Sequence, residues 1–379
     1  MTDILRSTHF EAVGITLLDI GPLRGTTALD FLVDDDRSTN IYLVMGPNGG
    51  GKTTLLEAIV ACFDMLAAEE HDTYAIPSLD RDEGGVQLDA IVHLDDGRSA
   101  QTYLLSIVLG TPGLLKHWSE DELRKVGAVD QIQLRYGRRR GSSKIIALPE
   151  SAPPAMAFAQ GILDEMDSPT QGLFGSGGRF PTVLYFPSDR GISRHASEDR
   201  AIVRPRDLTY APVHRFGSDK SNWADTLDNL FVWFAWLDDD REKECRQLVN
   251  ELVFRDGHKR LGPVDRNRLR VPVEVDGYTH GLDELSSGER QLVQLIARIA
   301  AHMTRSTIVL VDETEQHLHL VMRRRLMTIL KQWAAAHEGL SFILTSHQSD
   351  TLRILAPKVR EDGLRKGGCL VKPKFKGQQ

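Results

Sequence analysis

The sequence predicts an α/β fold: a mixed sheet with flanking helices, preceded by an antiparallel β part. Three observations predict it. Gly46-Pro47-Asn48-Gly49-Gly50-Gly51-Lys52-Thr53-Thr54 fits the phosphate-loop pattern G-x-x-x-x-G-K-[ST]. An apolar run, Ile41 to Met45, leads into it, and a helical apolar face of Leu55, Leu56, Ile59, Val60 and Phe63 leads out. Further on, Ile308 to Val311 ends in two acids, Asp312 and Glu313, and Ser341 to Ser346 ends in His347. Short apolar runs of this kind are the mark of strands buried on both faces.

In chain order, Ala12 to Ile20 and Ala28 to Val33 read as strands separated by Gly-Pro and Gly-Thr turns. Val86 to Leu94, the turn Asp95-Asp96-Gly97 and Gln101 to Leu109 read as a β-hairpin. Leu148 to Pro154 reads as a linker-like break, and Gly172 to Gly178 as a flexible loop. Val183 to Phe186 is a short strand that delivers Asp189 and Arg190, a polar pair read as facing the nucleotide or the lid, with a packing salt bridge the other reading of Arg190. Trp223 to Val253 is expected to be one long helical region whose aromatics Phe231, Trp233, Phe234 and Trp236 pack in the core. A Gly-Tyr hairpin then precedes Leu285-Ser286-Ser287-Gly288-Glu289-Arg290-Gln291, which opens an apolar-periodic helix.

Each motif carries chemistry. Glycines let the loop backbone fold around a phosphate with several N–H groups pointing inward, and the helix start adds its positive dipole end. Asn48, Gly49, Gly50, Gly51, Lys52, Thr53 and Thr54 are therefore expected to hold a nucleoside triphosphate. Within that set Lys52 reaches the β- and γ-phosphates, Thr53 holds Mg²⁺ and Thr54 bonds an α-phosphate oxygen. Two carboxylates at a buried strand tip are costly without a cation. Asp312 is read as the second Mg²⁺ ligand, through water, and Glu313 as the base that orients and deprotonates the attacking water. His347 occupies the place of a γ-phosphate sensor. Ser286 has two readings, a helix N-cap or, with the Gly288 backbone and the helix dipole, a phosphate grip.

Composition sets limits. A hydrophobic fraction of 41% with 26% charged residues is that of an ordinary soluble globular protein. Apolar stretches fall short of a membrane span, and the N-terminus lacks a secretory signal. Cys62, Cys245 and Cys369 sit far apart without C-x-x-C spacing, which fits reduced thiols in a cytoplasm. A net charge of −7 gives no global attraction to nucleic acid. Two basic stretches, Arg135 to Lys144 and Lys358 to Lys376, are local exceptions and read first as solvated segments.

Through LSSGERQ, IVLVDE and the histidine at the strand end, the chain resembles the ABC-type ATPases. The resemblance implies a RecA-like core over 1–379 with a compact inserted lid over about 110–275. It also implies a head-to-tail homodimer with two sandwiched ATP molecules. In such a dimer Ser286 and Gly288 act in trans and His347 is the switch histidine. The run Thr314-Glu315-Gln316-His317-Leu318-His319-Leu320 is similar to the D-E-x-E-x-H-L-H-P run of the overcoming-lysogenization-defect and RecF-like branch, with Leu320 in place of Pro. The insertion lacks sustained heptads, and the segment after His347 is too short for a nuclease domain. The expected function is thus a cytoplasmic ATPase gating a separate effector, such as a nuclease, in antiphage defence. A stand-alone DNA-binding repair ATPase and a transporter ATPase subunit are the alternatives. The position of a glutamine loop stays open, with Gln87 one candidate.

Overall fold

The computed structural model describes residues 6–33, 37–38, 40–95, 99–139, 141–166, 168, 180–190, 200–217, 222–348, 350–351, 354 and 369–371. The chain opens with β1 (Arg6–Ile20) and β2 (Leu23–Asp30), then the small pair β3 (Leu32–Val33) and β4 (Arg37–Ser38). β5 (Ile41–Met45) feeds α1 (Lys52–Asp64), followed by β6 (Glu70–His71) and α2 (Pro77–Asp80). Next come β7 (Gly85–Asp95), β8 (Ala100–Leu109), α3 (Glu120–Lys125), β9 (Gln131–Arg138), β10 (Ile145–Ala147) and α4 (Pro153–Glu165). β11 (Thr182–Phe186) and β12 (Val213–Arg215) precede α5 (Leu227–Leu237) and α6 (Arg241–Leu252). The strands β13 (Lys259–Leu261), β14 (Val273–Val275) and β15 (Tyr278–His280) lead to α7 (Ser287–His302). The described chain closes with β16 (Thr307–Val311), α8 (Leu320–Ala336), β17 (Leu340–Ser346) and β18 (Cys369–Val371).

These elements make a mixed α/β architecture around two large sheets. One has the order β2-β1-β7-β8-β9-β10-β6 and is antiparallel except between β8 and β9. The other, β12-β11-β16-β17-β5-β18, is parallel throughout. β5, and β11 and β16 beyond an initial threonine, are largely apolar because helices or the other sheet cover both faces.

Side chains alternate across the parallel sheet, as the two-residue period of a strand requires. Val183, Tyr185, Ile308, Leu310, Ile343, Tyr42 and Val44 join the core that also holds α1, α4 and the antiparallel sheet. Leu184, Phe186, Val309, Val311, Phe342, Leu344, Ile41 and Leu43 join the core on the opposite face, with α5 to α8.

Several expectations need correction. β1 begins six residues earlier than predicted, at Arg6, and β2 starts at Leu23 rather than Ala28. The break at Leu148 to Pro154 is a short turn that launches α4, with Pro153 and Pro154 in its first turn, where the missing N–H is no loss. The long helix splits into a short 3₁₀ turn, α5 and α6, because Asp238 and Asp240 take φ of 56° and 67°. Phe231 and Phe234 are core residues, whereas Trp236 is 56% exposed and stacks on Trp233. Within the region of about 110–275, β9 and β10 extend the antiparallel sheet, and β11 and β12 extend the parallel one. The turn at Asp96-Gly97, Gly172 to Gly178 and most of Lys358 to Lys376 lie outside the described residues.

Candidate functional site

The site grows from the C-terminal ends of three neighbouring parallel strands, β5, β17 and β16. β5 ends at Met45, and Gly46 N–H donates to the Ser346 carbonyl at 3.4 Å, which starts the loop in register with β17. The loop then turns on Gly49 (φ 74°) and Gly51 (φ 84°), a backbone region that favours glycine. At Gly51 space forbids a side chain as well, since an added Cβ would lie 2.7 Å from Leu23 Cγ. At Gly49 no atom lies within 4 Å of that position.

α1 begins at Lys52 with Gly51 as its N-cap, so no side chain caps its first N–H groups. Such groups have no acceptor within the helix and point at whatever sits before it. Lys52 is buried, and its Nζ donates to the carbonyls of Gly46 and Pro47, both at 2.9 Å. The ammonium is thereby held over the loop. Thr54 packs against Gly21, where a Cβ would lie 3.2 Å from Thr54 Cγ2. Asn48 is exposed and Gly50 half-buried.

Thr53 Oγ1 donates to Asp312 Oδ2 at 2.7 Å, and Thr345 Oγ1 donates to Asp312 Oδ1 at 2.6 Å. The alternation of the sheet explains the convergence. Asp312 continues the Ile308, Leu310 face and Thr345 the Ile343 face, which is the face that carries α1. Asp312 is 1% exposed, so these hydroxyls, and any cation bound beside it, stand in for water at its carboxylate oxygens. Burial, and then Asp312, push the Glu57 carboxyl above its ordinary range.

The hydroxyl of Thr53 and the carboxylate of Asp312 are hard oxygen donors that fit Mg²⁺. Among the described residues no group of three or more His, Cys, Asp or Glu could hold a metal alone. The cation would take its other ligands from phosphate oxygens and water, as Mg²⁺ does in phosphate sites.

Beyond Asp312 the backbone turns sharply, with Glu313 at φ 45°. Glu313 N–H donates to Thr345 Oγ1 at 2.8 Å. Arg190, buried, donates through Nη1 to the carbonyls of Pro187 and Asp312, and through Nη2 to that of Glu313 at 3.0 Å. Burial draws the Arg190 pKa down to about 10 against the pull of Asp312, Glu315 and Glu313, which leaves it charged at neutral pH. His347 follows β17; its Nδ1 lies 2.8 Å from Glu315 Oε1, which also accepts from His347 N–H at 2.8 Å. Glu315 is buried and takes a further bond from Thr314 Oγ1 at 3.3 Å.

The loop residues, Asp312, Glu313 and His347 thus cluster. Ser286 and Gly288 do not join them within one chain: among the described residues no hydrogen bond links either to Gly46–Thr54. Ser286 N-caps α7 in a capping box, its Oγ donating to Glu289 Oε2 at 2.7 Å and accepting from Glu289 N–H at 3.4 Å. Lys259 Nζ binds the same carboxylate at 3.0 Å. Although burial opposes the charge, Ser286 and Lys259 keep Glu289 below the ordinary carboxylate range. Gly288 is a close-packing glycine, since a Cβ there would lie 2.6 Å from Met322 Sδ.

Gln87 is spent elsewhere. It is fully buried, donating to Asp89 Oδ1 at 2.8 Å and the Lys116 carbonyl at 2.9 Å, and accepting from Leu115 and Lys116 N–H. Sequence reasoning missed Thr345, Glu315 and the role of Arg190. Only strand parity could have found Thr345, by placing it beside Asp312.

Two family models match the chain. One, described as an AAA domain, matches residues 15–75; the other, described as "AAA domain, putative AbiEii toxin, Type IV TA system", matches residues 179–353. No curated protein matches the sequence. Among solved structures, the SMC head domain from Thermotoga maritima is similar at 12% identity, covering 91% of this chain and 92% of that one, with a TM-score of 0.38. The phosphate loop falls within the first matched stretch, and Arg190, Ser286, Asp312, Glu313 and His347 within the second. Both halves of the site therefore lie in sequence similar to AAA-type P-loop ATPase domains.

Proposed function

We propose that the chain is an ABC-type ATPase that binds ATP with Mg²⁺, hydrolyses it, and closes head to tail on a second copy to gate a separate effector. The observation that carries the reading is the chain of hydroxyls from Thr53 through Asp312 to Thr345, which ties the phosphate loop to both following strands. Lys52, Asn48, Gly49, Gly50, Gly51, Thr53 and Thr54 surround the triphosphate, Lys52 exchanging its loop carbonyls for phosphate oxygens. Thr53 and Asp312 would hold Mg²⁺, which would neutralise charge on the phosphates. Glu313 orients water for in-line attack and accepts its proton. Glu315 fixes His347 so that its other ring nitrogen faces the γ-phosphate side.

Ser286 and Gly288 serve the loop of the second copy. The exposure of Ser286 supports this, as does the absence, among the described residues, of a hydrogen bond from either residue to the loop of its own chain. The effector, a nuclease in antiphage defence, is the outermost part of the proposal. It is supported by a matching family whose description names one part of a toxin–antitoxin system.

Glu313→Gln tests the reading. ATP hydrolysis should fall by about 10²–10⁴-fold while ATP still binds, and the variant should run as a dimer with ATP. Normal turnover would remove Glu313 as the base, and a monomer with bound ATP would remove the trans site. Mass spectrometry of proteins retained on the trapped dimer then identifies the effector.

A DNA-repair reading would draw on the basic stretch Arg135 to Lys144, part of which is engaged within the chain while Arg139 is exposed. Arg138 is spent on the Ser143 and Asp80 carbonyls and lies within 3.7 Å of the carboxylates of Asp80 and Asp82; Lys144 pairs with Asp72. Arg140 lies outside the described residues. Salt-dependent stimulation of hydrolysis by duplex DNA would restore that reading. No helix among the described residues is long and apolar enough to cross a membrane.

A further inference from the structure

Arg190 stands where a strand-to-strand ladder runs out. β11 and β16 pair in parallel up to Phe186 and Val311, and the last rung is Asp312 N–H donating to the Phe186 carbonyl at 2.9 Å. The next two carbonyls of the acidic strand, those of Asp312 and Glu313, have left the ladder. Both are taken by the guanidinium of Arg190, whose Nη1 also binds the Pro187 carbonyl at 2.9 Å. The guanidinium reads backbone here, not carboxylates: the Asp312 carboxylate is engaged by Thr53 and Thr345.

Glu313 needs that hold. Its φ of 45° costs a side-chain-bearing residue about 1–2 kcal/mol and persists only where the surroundings over-determine it. Thr345 Oγ1 fixes the Glu313 N–H, while Arg190 and the N–H of Gln316 fix its carbonyl. Removing the fork frees the Asp312 carbonyl and leaves that of Glu313 to Gln316 N–H alone, and the turn can relax to an ordinary φ. That rotation swings the Glu313 Cβ, and the carboxylate with it.

We propose that Arg190 is a positioning residue for hydrolysis, holding the strained turn at Glu313 so that its carboxylate faces the attacking water. The proposal rests on the reading of Glu313 as the general base. Lysine cannot replace the fork, because a single ammonium cannot span the two carbonyls with the fixed geometry of a guanidinium.

The test uses the full chain with ATP and Mg²⁺. Arg190→Lys should lower kcat about 10- to 100-fold, the scale of a misplacement of about 1 Å, with the Kd for ATP changed by less than about threefold. In Arg190→Ala, added methylguanidine should restore part of the lost kcat and methylammonium should not. An Arg190→Lys enzyme within about twofold of wild type, or a loss of ATP affinity in step with kcat, overturns the proposal. So does equal rescue by methylammonium. If Arg190→Ala does not fold, Arg190→Lys alone decides. Wild type run alongside separates the two readings: a wild type without turnover sinks the ATPase reading and this role with it. Wild-type turnover with an unaffected Arg190→Lys sinks this role alone.

Discussion

Gly49 and Gly51 both sit in the left-handed region, and their alanine variants should behave differently. At either position the backbone alone costs about 1–2 kcal/mol once a Cβ is present. Gly51 adds a collision. Its new methyl would lie 2.7, 2.8 and 3.2 Å from three carbons of Leu23, the first residue of β2, whose side chain is buried in the core. Contacts of that kind prefer about 3.5–4 Å, and overpacking a core by one methyl costs about 1–3 kcal/mol. Gly51→Ala should therefore lose about 2–5 kcal/mol of stability and Gly49→Ala about 1–2. Gly49→Ala, however, places its methyl in the open space where the phosphates are proposed to sit, so it should bind ATP at least about tenfold more weakly despite its milder destabilisation. Urea unfolding followed by tryptophan fluorescence gives the first ranking, and titration with ATP the second. Equal stability of the two variants would refute the steric reasoning at Gly51, and wild-type ATP affinity in Gly49→Ala would refute the placement of the phosphates.

Glu315→Gln keeps the size of the buried side chain but weakens its hold on His347, so turnover should fall about tenfold or more with ATP binding preserved; unchanged kcat in steady-state assays removes the pair from the mechanism. Asp228, half-buried and bonded by the Val271 N–H at 2.8 Å, has its pKa raised by burial to about 6. The folded chain then binds the extra proton between the unfolded value near 3.8 and about 6, so this group makes stability fall as pH rises through that window, by at most about 3 kcal/mol. Asp228→Asn should flatten that dependence in melts recorded from pH 4 to 7, and an unaltered profile would show that another group sets it. Gly339→Ala would put a methyl 1.7 Å from the Arg305 carbonyl oxygen, in the turn whose own carbonyl accepts from Thr307 N–H at 2.7 Å. Backbone has to move there, so a loss of about 3 kcal/mol or more is expected by denaturant titration; a loss under about 1 kcal/mol contradicts the close approach.

Local pattern and tertiary placement were legible to different degrees. Ile41–Met45 needed no correction, because five apolar residues before a glycine-rich loop admit one reading. The hairpin of β7 and β8 and the helix from Ser287 were equally plain, since their periods are strong. α4 was hidden by Pro153 and Pro154, which signal a break unless they are recognised as first-turn residues. The split between α5 and α6 depends on Asp238 and Asp240 adopting positive φ, which composition does not announce. At the site, residues that belong to a motif could be named in advance. Thr345 could not, and Arg190 and Glu315 could be named only without their partners, because each acts through a group that only strand order brings near: 33 positions separate Thr345 from Asp312, and 122 separate Arg190 from it.

The alternation of the parallel sheet imposes a rule of parity. Counting from Ile308, every second residue of β16 belongs to the α1 side, and Asp312 inherits that side only because it lies an even number of residues beyond Ile308. Adding or deleting one residue within the strand would deliver the acid to the α7 side, among Val309 and Val311, with no hydroxyl from Thr53 to meet it. Two residues could be added and the assignment would survive. The length of this strand can thus drift only in pairs, and the same holds for β17, whose Thr345 must reach the same carboxylate from the next strand.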